Sequence, residues 1–181
     1  MASAFEAFLS DVEALRRDAA SEPELVKRLA ARLQRLNREE RWLPECYRET
    51  CNDEYKQHLV YVAPDGGFSV CSLVWCEDQA TPIHDHVAWC VVGVYEGVER
   101  ETRYRLVESD GNRHLVVSSV RDVAAGGTAG YPADGRDIHK VANPTGATAI
   151  SIHVYGADIG KLGTSIRTRF DHLPIREAAT A

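Results

Sequence analysis

Two stretches within the first forty residues have the spacing of amphipathic helices. In the first, apolar residues recur at intervals of three and four, and Ser3 with Glu6 forms a Ser-x-x-Glu capping pattern at its start. The second begins at Ser21, has Pro23 in its first turn, and carries leucines along one stripe. The pattern therefore predicts two short helices, the second of which ends at Asn37.

From about Gln57 the pattern changes to short runs rich in valine, tyrosine and threonine. Turn signals such as "APDGG" and "NPTG" separate these runs, and no helical segment lies between them. Such spacing favours an antiparallel sandwich or barrel over a parallel α/β sheet. We therefore predict a mainly β, single-domain protein in which a helical cap, residues 1–50, packs on a barrel of residues 51–181, with "CNDEYKQ" as the connector.

Length and composition limit the possible partners. A chain of 181 residues with 44% hydrophobic residues can form one substantial core, and its formal charge of −6 provides no basic face for the phosphates of nucleic acid. Acidic residues interrupt the first apolar stretch, so we expect no signal peptide, and no later segment is apolar enough to span a membrane. Five cysteines without a CxxC spacing favour reduced thiols. These features predict a cytoplasmic protein that acts on small molecules.

The clearest candidate chemistry lies in "TPIHDHVAWC", residues 81–90. Side chains two apart on a strand point to the same side, so His84 and His86 share one face while Asp85 points to the other. The two histidines could be hydrogen-bonded residues of the core or two ligands of one metal ion. Their common face favours the second interpretation.

The spacing around these histidines is similar to that of the cupins. His84-x-His86-x3-Cys90-x6-Gly97 resembles the first cupin motif, in which a glutamate usually occupies the position of Cys90. The segment "YPADGRDIHKVANPTG" resembles the second motif, whose histidine corresponds to His139. The resemblance implies a jelly-roll barrel that binds a metal ion through His84, His86 and His139.

Three neutral imidazoles can bind a first-row divalent ion on one side and leave the opposite positions open for reactants. Because Cys90 replaces the glutamate, we expect a ligand set without protein charge, an Fe(II) ion that keeps its full positive charge, and an attraction for anionic substrates. Zinc also suits such ligands but has no redox chemistry. The imidazoles alone leave the choice of metal open.

A third pattern lies in "AISIHVYGADI", where Ser151, His153 and Tyr155 fall on one face of a strand. An ordinary half-buried strand accommodates these residues, but beside three metal ligands a hydrogen-bonded row could hold the phenol as a fixed donor. Together with the two motifs, the row resembles the thiol dioxygenase branch of the cupins, the cysteine dioxygenase family, over about residues 55–170. The resemblance implies an Fe(II) cofactor, with Tyr155 orienting the substrate and oxygen.

Cys90 corresponds to a cysteine that some members of this family link through sulfur to the tyrosine at the position of Tyr155. Most cysteines in such surroundings are plain buried thiols. Both interpretations of Cys90 stay open.

The residues expected to bind substrate differ from the animal-type pattern. Gln57, in "YKQHLVY", occupies a position where animal-type cysteine dioxygenases have an arginine for the substrate carboxylate. Glutamine there resembles the branch of 3-mercaptopropionate dioxygenases, and an amide cannot form a charge-assisted pair with a carboxylate. In that branch a C-terminal arginine supplies the charge, and "KLGTSIRTRFD" offers Arg167 and Arg169, each of which could instead be a solvated surface residue.

We therefore predict a non-haem Fe(II) thiol dioxygenase that oxidises a small mercaptocarboxylate, 3-mercaptopropionate or cysteine, with O2 to its sulfinate. The expected partners are the small thiol and O2, with neither nucleic acid nor membrane, and the resemblance assigns no oligomeric state. One alternative is a non-catalytic cupin that binds or senses a small ligand. Another is a cupin that uses a different metal for isomerisation or hydrolysis.

Overall fold

A computed structural model of the protein describes residues 3–51, 53–109 and 111–177. Three parts of the sequence predictions lie outside these residues: residues 1–2 of the helical cap, Asn52 of the connector, and residues 178–181 of the barrel range. Within the described ranges the chain forms three α-helices, one 3-10 helix (Glu45–Tyr47) and eleven strands: α1 Ala4–Asp18, α2 Glu22–Leu36, β1 Lys56–Val62, β2 Ser69–Trp75, β3 His84–His86, β4 Cys90–Glu96, β5 Val98–Ser109, β6 Asn112–Ala124, β7 Thr128–Tyr131, β8 His139–Ala142, β9 Ala149–Tyr155, α3 Ile159–Leu162, β10 Ile166–Arg169 and β11 Ile175–Arg176.

Both helices predicted from the N-terminal pattern are confirmed. The hydroxyl of Ser3 accepts a hydrogen bond from the backbone N–H of Glu6, whose carboxylate accepts one from the N–H of Ser3, so the capping box is complete. Ser21 caps α2 in the same way through the N–H of Glu24, and α2 ends before Asn37. No helix within the described ranges is long and apolar enough to cross a bilayer.

The strands form two sheets, as the turn spacing predicted. One has the order β1-β2-β9-β4-β7 and the other the order β10-β3-β8-β5-β6-β11. Neighbouring strands are antiparallel in both sheets, except that β11 runs parallel to β6. The mainly β fold is therefore confirmed.

The two N-terminal helices cover the outer face of the five-stranded sheet. Consequently β2, β4 and β9 are buried on both faces. Along β9 the outward side chains pack in one core cluster with Leu29 and Leu33 of α2, while the inward side chains face the barrel interior; the outward residues are Ile150, Ile152 and Val154 and the inward ones are Ser151, His153 and Tyr155. Each outward aliphatic side chain contributes about 1.5–3 kcal/mol through its burial.

Candidate metal centre

Three histidines meet in the barrel interior, as the two motifs predicted. His84 and His86 lie on β3, and His139 lies on the adjacent β8, directly opposite His84. All three are buried, and one ring nitrogen from each lies within 4.8 Å of the others. The pairing of β3 with β8 therefore brings two distant parts of the sequence to one candidate metal site.

Each of these rings is held through its Nδ1 atom. Nδ1 of His84 donates to the carbonyl of Pro82 at 2.9 Å, that of His86 to Asp137 Oδ2 at 2.6 Å, and that of His139 to Glu101 Oε1 at 3.1 Å. A hydrogen bond at Nδ1 fixes the tautomer and leaves the lone pair of Nε2 available to a metal ion. The donor set therefore fits a divalent metal.

Burial keeps the rings of His84 and His139 uncharged. It lowers the pKa of His84 to about 3, with further lowering from the neighbouring His139 and His86. Burial also lowers the pKa of His139. Because a metal ligand must present a neutral imidazole, the pocket supplies the protonation state that binding requires.

Glu101 is a buried carboxylate behind the neutral ligands, so the expectation that a bound ion keeps its full positive charge needs correction. Its buried carboxylate contacts His139, accepts a hydrogen bond from the hydroxyl of Tyr131 at 2.6 Å, and forms ion pairs with Arg103 and Arg121. Burial would raise the pKa of Glu101, but the hydrogen bonds from His139 and Tyr131 and the charge of Arg103 lower it to about 2. A carboxylate thus lies directly behind one of the three candidate ligands.

Asp137 is the second buried carboxylate behind the site. Burial raises its pKa, but the hydrogen bond from His86 outweighs this and holds the pKa below its usual value. The direct ligands are neutral, as expected, but the positive charge of a bound ion is partly offset through His86 and His139. The sequence offered one indication that Asp137 lies near the site, because it precedes His139 by two residues.

The predicted row of Ser151, His153 and Tyr155 forms on the inward face of β9. The Ser151 hydroxyl lies 2.9 Å from His153 Nε2, and the Tyr155 hydroxyl lies 3.0 Å from His153 Nδ1. Burial lowers the pKa of His153 well below its usual value and raises that of Tyr155 well above its usual value. The phenol is therefore neutral and able to donate a hydrogen bond.

His153 and Tyr155 of the row line one inner cavity of about 20 Å³ together with the three histidines; its other lining residues are Tyr55, Gln57, Leu73, Thr81, Val141, Ser165 and Ile166. A larger outer cavity of about 590 Å³ shares Tyr55, Gln57, Ser165 and Ile166 with it and adds Arg169. A small molecule in the outer cavity therefore lies next to Gln57, which borders both.

A family model for cysteine dioxygenase type I matches residues 2–162 of the chain. The chain belongs to this family. The match covers the N-terminal helices, both histidine motifs and the Ser-His-Tyr row, so the family predicted from the motifs is confirmed. The three-histidine cluster agrees with a metal-binding member.

Several solved structures resemble the chain in fold. A protein with a double-stranded β-helix domain from Klebsiella pneumoniae is 16% identical with a TM-score of 0.50, and the match covers 66% of this chain and 87% of that one. A cupin superfamily protein from Desulfitobacterium hafniense is 12% identical over 66% and 94%, with a TM-score of 0.47. A protein from Thermus thermophilus is 18% identical over 62% and 92%, with a TM-score of 0.47. The match to the double-stranded β-helix domain and the two sheets of the chain confirm the predicted barrel.

Cys90, at the family position of interest, lies on β4 directly opposite Tyr155 on β9. It is a free, fully buried thiol. Burial raises its pKa well above the usual value, while an interaction with the Tyr155 hydroxyl acts in the opposite direction. The proximity is compatible with the sulfur link known in some family members, and the link stays a prediction.

The two candidate arginines point in different directions. A bulge between Ile166 and Thr168 on β10 places Arg169 opposite His84, hence on the side of β3 that faces the site. Arg167 instead donates two hydrogen bonds, at 2.6 and 3.1 Å, to Oδ2 of the buried Asp85. Asp85 lies on the other face of β3, so Arg167 is held away from the histidines.

Proposed function

We propose that this protein is an Fe(II)-dependent thiol dioxygenase that converts a small mercaptocarboxylate, 3-mercaptopropionate or cysteine, to its sulfinate. One observation carries the proposal: the three-histidine cluster borders the same cavity as His153 and Tyr155 of the hydrogen-bonded row, in a chain of the cysteine dioxygenase type I family. A ligand-binding cupin does not require a neutral phenol held beside its metal ligands.

The residues present fit Fe(II), because imidazole nitrogens are suitable ligands for it and the inner cavity leaves space on one side of the cluster. When bound, Fe(II) supplies adjacent positions for a thiolate and dioxygen together with the electrons that dioxygen requires. Asp137 and Glu101 orient His86 and His139 toward that ion. The reaction RSH + O2 → RSO2⁻ + H⁺ needs no other reductant.

Tyr155 would hold a proton at its hydroxyl and direct it into the cavity, while His153 fixes the orientation of the ring oxygen. Leu73, Val141 and Ile166 supply apolar walls that limit the entry of water. The protein's contribution is therefore to position the two reactants and to place one hydrogen-bond donor beside them.

Arg169 and Gln57 support a substrate with a carboxylate. Both line the outer cavity, and Gln57 also borders the inner one, so a molecule with its sulfur among the histidines could extend its acid group toward Arg169. An arginine binds a carboxylate through two parallel, charge-assisted hydrogen bonds. We therefore assign the acid group to Arg169 and a neutral hydrogen bond to Gln57, as in the 3-mercaptopropionate branch.

The test is oxygen uptake by the iron-loaded protein with a panel of thiols, followed by quantification of the sulfinate. We expect one sulfinate per O2 with 3-mercaptopropionate or cysteine, and no uptake by protein loaded with zinc. Thiol binding without oxygen uptake would instead support a sensing cupin. The cytoplasmic location stays a prediction from the sequence.

A further inference from the structure

The Ser-His-Tyr row continues beyond Ser151 to a fourth polar residue, Glu99. Glu99 lies on β5 in the opposite sheet and is only 3% exposed. Its carboxyl interacts with the Ser151 hydroxyl and the Trp75 indole, and Trp75 Nε1 also lies 3.3 Å from Ser151 Oγ. Glu99 Oε1 has no hydrogen-bond partner among the residues that the structure describes.

Glu99 also borders a second cavity, of about 20 Å³, which is large enough for about one water molecule. Glu101, Arg121 and Tyr131 line this cavity as well, and the side chain of Arg121 is half exposed. Val141 lines both this cavity and the inner cavity of the histidines. The row therefore runs from the candidate metal site to a second cavity with access toward the surface.

A row of this kind can be hydrogen-bonded in two directions. If Glu99 is ionised, it accepts from Ser151, which accepts from His153 Nε2, which in turn accepts through Nδ1 from Tyr155. If Glu99 is protonated, it donates to Ser151, Ser151 donates to His153 Nε2, and His153 Nδ1 donates to the Tyr155 oxygen. The Tyr155 hydroxyl is then free to donate into the inner cavity. The charge on Glu99 and the direction of the tyrosine hydroxyl are thus linked through the interaction of Glu99 with Ser151 and through two further hydrogen bonds, of 2.9 Å from Ser151 to His153 and 3.0 Å between His153 and Tyr155.

We propose that Glu99 accepts, through Ser151 and His153, the proton that the substrate thiol loses on binding, and thereby turns Tyr155 into a donor. This inference rests on the proposed function. The thiol S–H bond breaks and its proton joins the Tyr155 oxygen. The Tyr155 proton passes to His153 Nδ1, the His153 Nε2 proton passes to Ser151, and the Ser151 proton forms an O–H bond on Glu99.

The surroundings of Glu99 suit a group that changes its charge at physiological pH. Burial raises the pKa of Glu99 to about 7; hydrogen bonds from Ser151 and Trp75 lower it, and the charge of Glu101 raises it. The charged groups that face Glu99 across the second cavity are Glu101 on its own strand and Arg121 on β6, while Tyr131 on β7 is neutral. A free enzyme above neutral pH therefore holds Glu99 ready to accept a proton.

Glu99→Gln tests the proposal with little change in shape. We expect kcat/KM for 3-mercaptopropionate to fall about 100-fold at pH 8, where the wild-type Glu99 is ionised, and to approach the wild-type value at pH 6. Glu96→Gln, the same change at an exposed position of β4, should match the wild type at both pH values. If the ratio of kcat/KM between the wild type and Glu99→Gln does not vary with pH, Glu99 has only a packing role and the proposal is overturned.

Infrared difference spectra provide a readout that does not depend on turnover. Adding thiol without oxygen to the iron-loaded wild type at pH 8 should produce the C=O band of a protonated carboxylic acid. Glu99→Gln and Ser151→Ala should both lack this band, the first because the carboxyl is gone and the second because its link to His153 is broken. A wild type without the band, or a band that persists in Glu99→Gln, contradicts the proposal. Failure of the wild type to consume oxygen would contradict the proposed function instead.

Discussion

Replacing Arg169 by methionine tests how the acid group of the substrate is recognised. Methionine keeps much of the length of the side chain but removes the guanidinium charge of Arg169 from the outer cavity, which Gln57 and Lys56 also line. A hydrogen bond to a charged group contributes about 1.5–3 kcal/mol, because its loss leaves the carboxylate with weaker partners. At about 1.4 kcal/mol per factor of ten, KM for 3-mercaptopropionate should rise about 10- to 150-fold.

Arg167→Met is the matched control, two residues away on the same strand. It removes both hydrogen bonds from Arg167 to Asp85, which is 4% exposed and retains the hydrogen bond from the backbone N–H of Thr168 at 2.8 Å. Because the Arg167 side chain is 38% exposed, solvent screens the pair, and we expect a loss of about 1–2 kcal/mol in the free energy of unfolding. The melting temperature should fall by about 2–8 °C while KM stays unchanged.

The assay is oxygen uptake with 3-mercaptopropionate, cysteine and cysteamine, combined with thermal melts of both variants. Cysteamine lacks the acid group, so Arg169→Met should raise its KM far less than that of the two acids. The reasoning is refuted if Arg169→Met affects acid and amine equally. It is also refuted if Arg167→Met produces the acid-specific effect, since the roles assigned from the bulge on β10 would then be reversed.

Four further predictions concern the same cavity. His139→Ala should lower bound iron and oxygen uptake together without unfolding the barrel, and unchanged iron content by metal analysis would remove His139 from the ligand set. Asp137→Asn should weaken iron binding about 10-fold, because the amide is a poorer acceptor for His86, and a chelator titration measures this. Tyr155→Phe should retain iron but yield less sulfinate per O2, and a wild-type yield would contradict the role of the hydroxyl. Gln57→Arg should shift the ratio of kcat/KM toward cysteine, and a constant ratio would show that this position does not select the substrate.

Two of the three candidate ligands could be predicted from local spacing, whereas His139 was predicted from the resemblance to the second cupin motif. His84 and His86, two apart on a strand, must share a face, and the same rule aligns the row on β9. The barrel could be predicted from the turn signals for a similar reason, because the residues that form each hairpin turn are close together in the sequence. The shared faces of His84 and His86 and of the row need no knowledge of which strands become neighbours, whereas the meeting of His139 with His84 requires the pairing of β3 with β8.

The carboxylates and the arginines depend on strand pairing, which spacing does not encode. Glu101 reaches His139 because β5 pairs with β8 in a register that places Arg103 opposite that histidine. Arg169 rather than Arg167 faces the site because of one bulge on β10. A shift of one residue in either register would exchange inward and outward side chains, so these assignments required the structure.

The alternation of inward and outward side chains along β9 determines how the protein responds to an error in strand pairing. Its odd-numbered residues form the row, and its even-numbered residues pack against the helices. A slip of one residue in strand pairing would therefore place isoleucines beside the histidines, and imidazole and hydroxyl groups against α2. Such a molecule would lose both the packing of α2 on the sheet and the hydrogen-bonded row beside the histidines. We therefore expect a one-residue slip of β9 to abolish oxygen uptake and the packing of α2 on the sheet together.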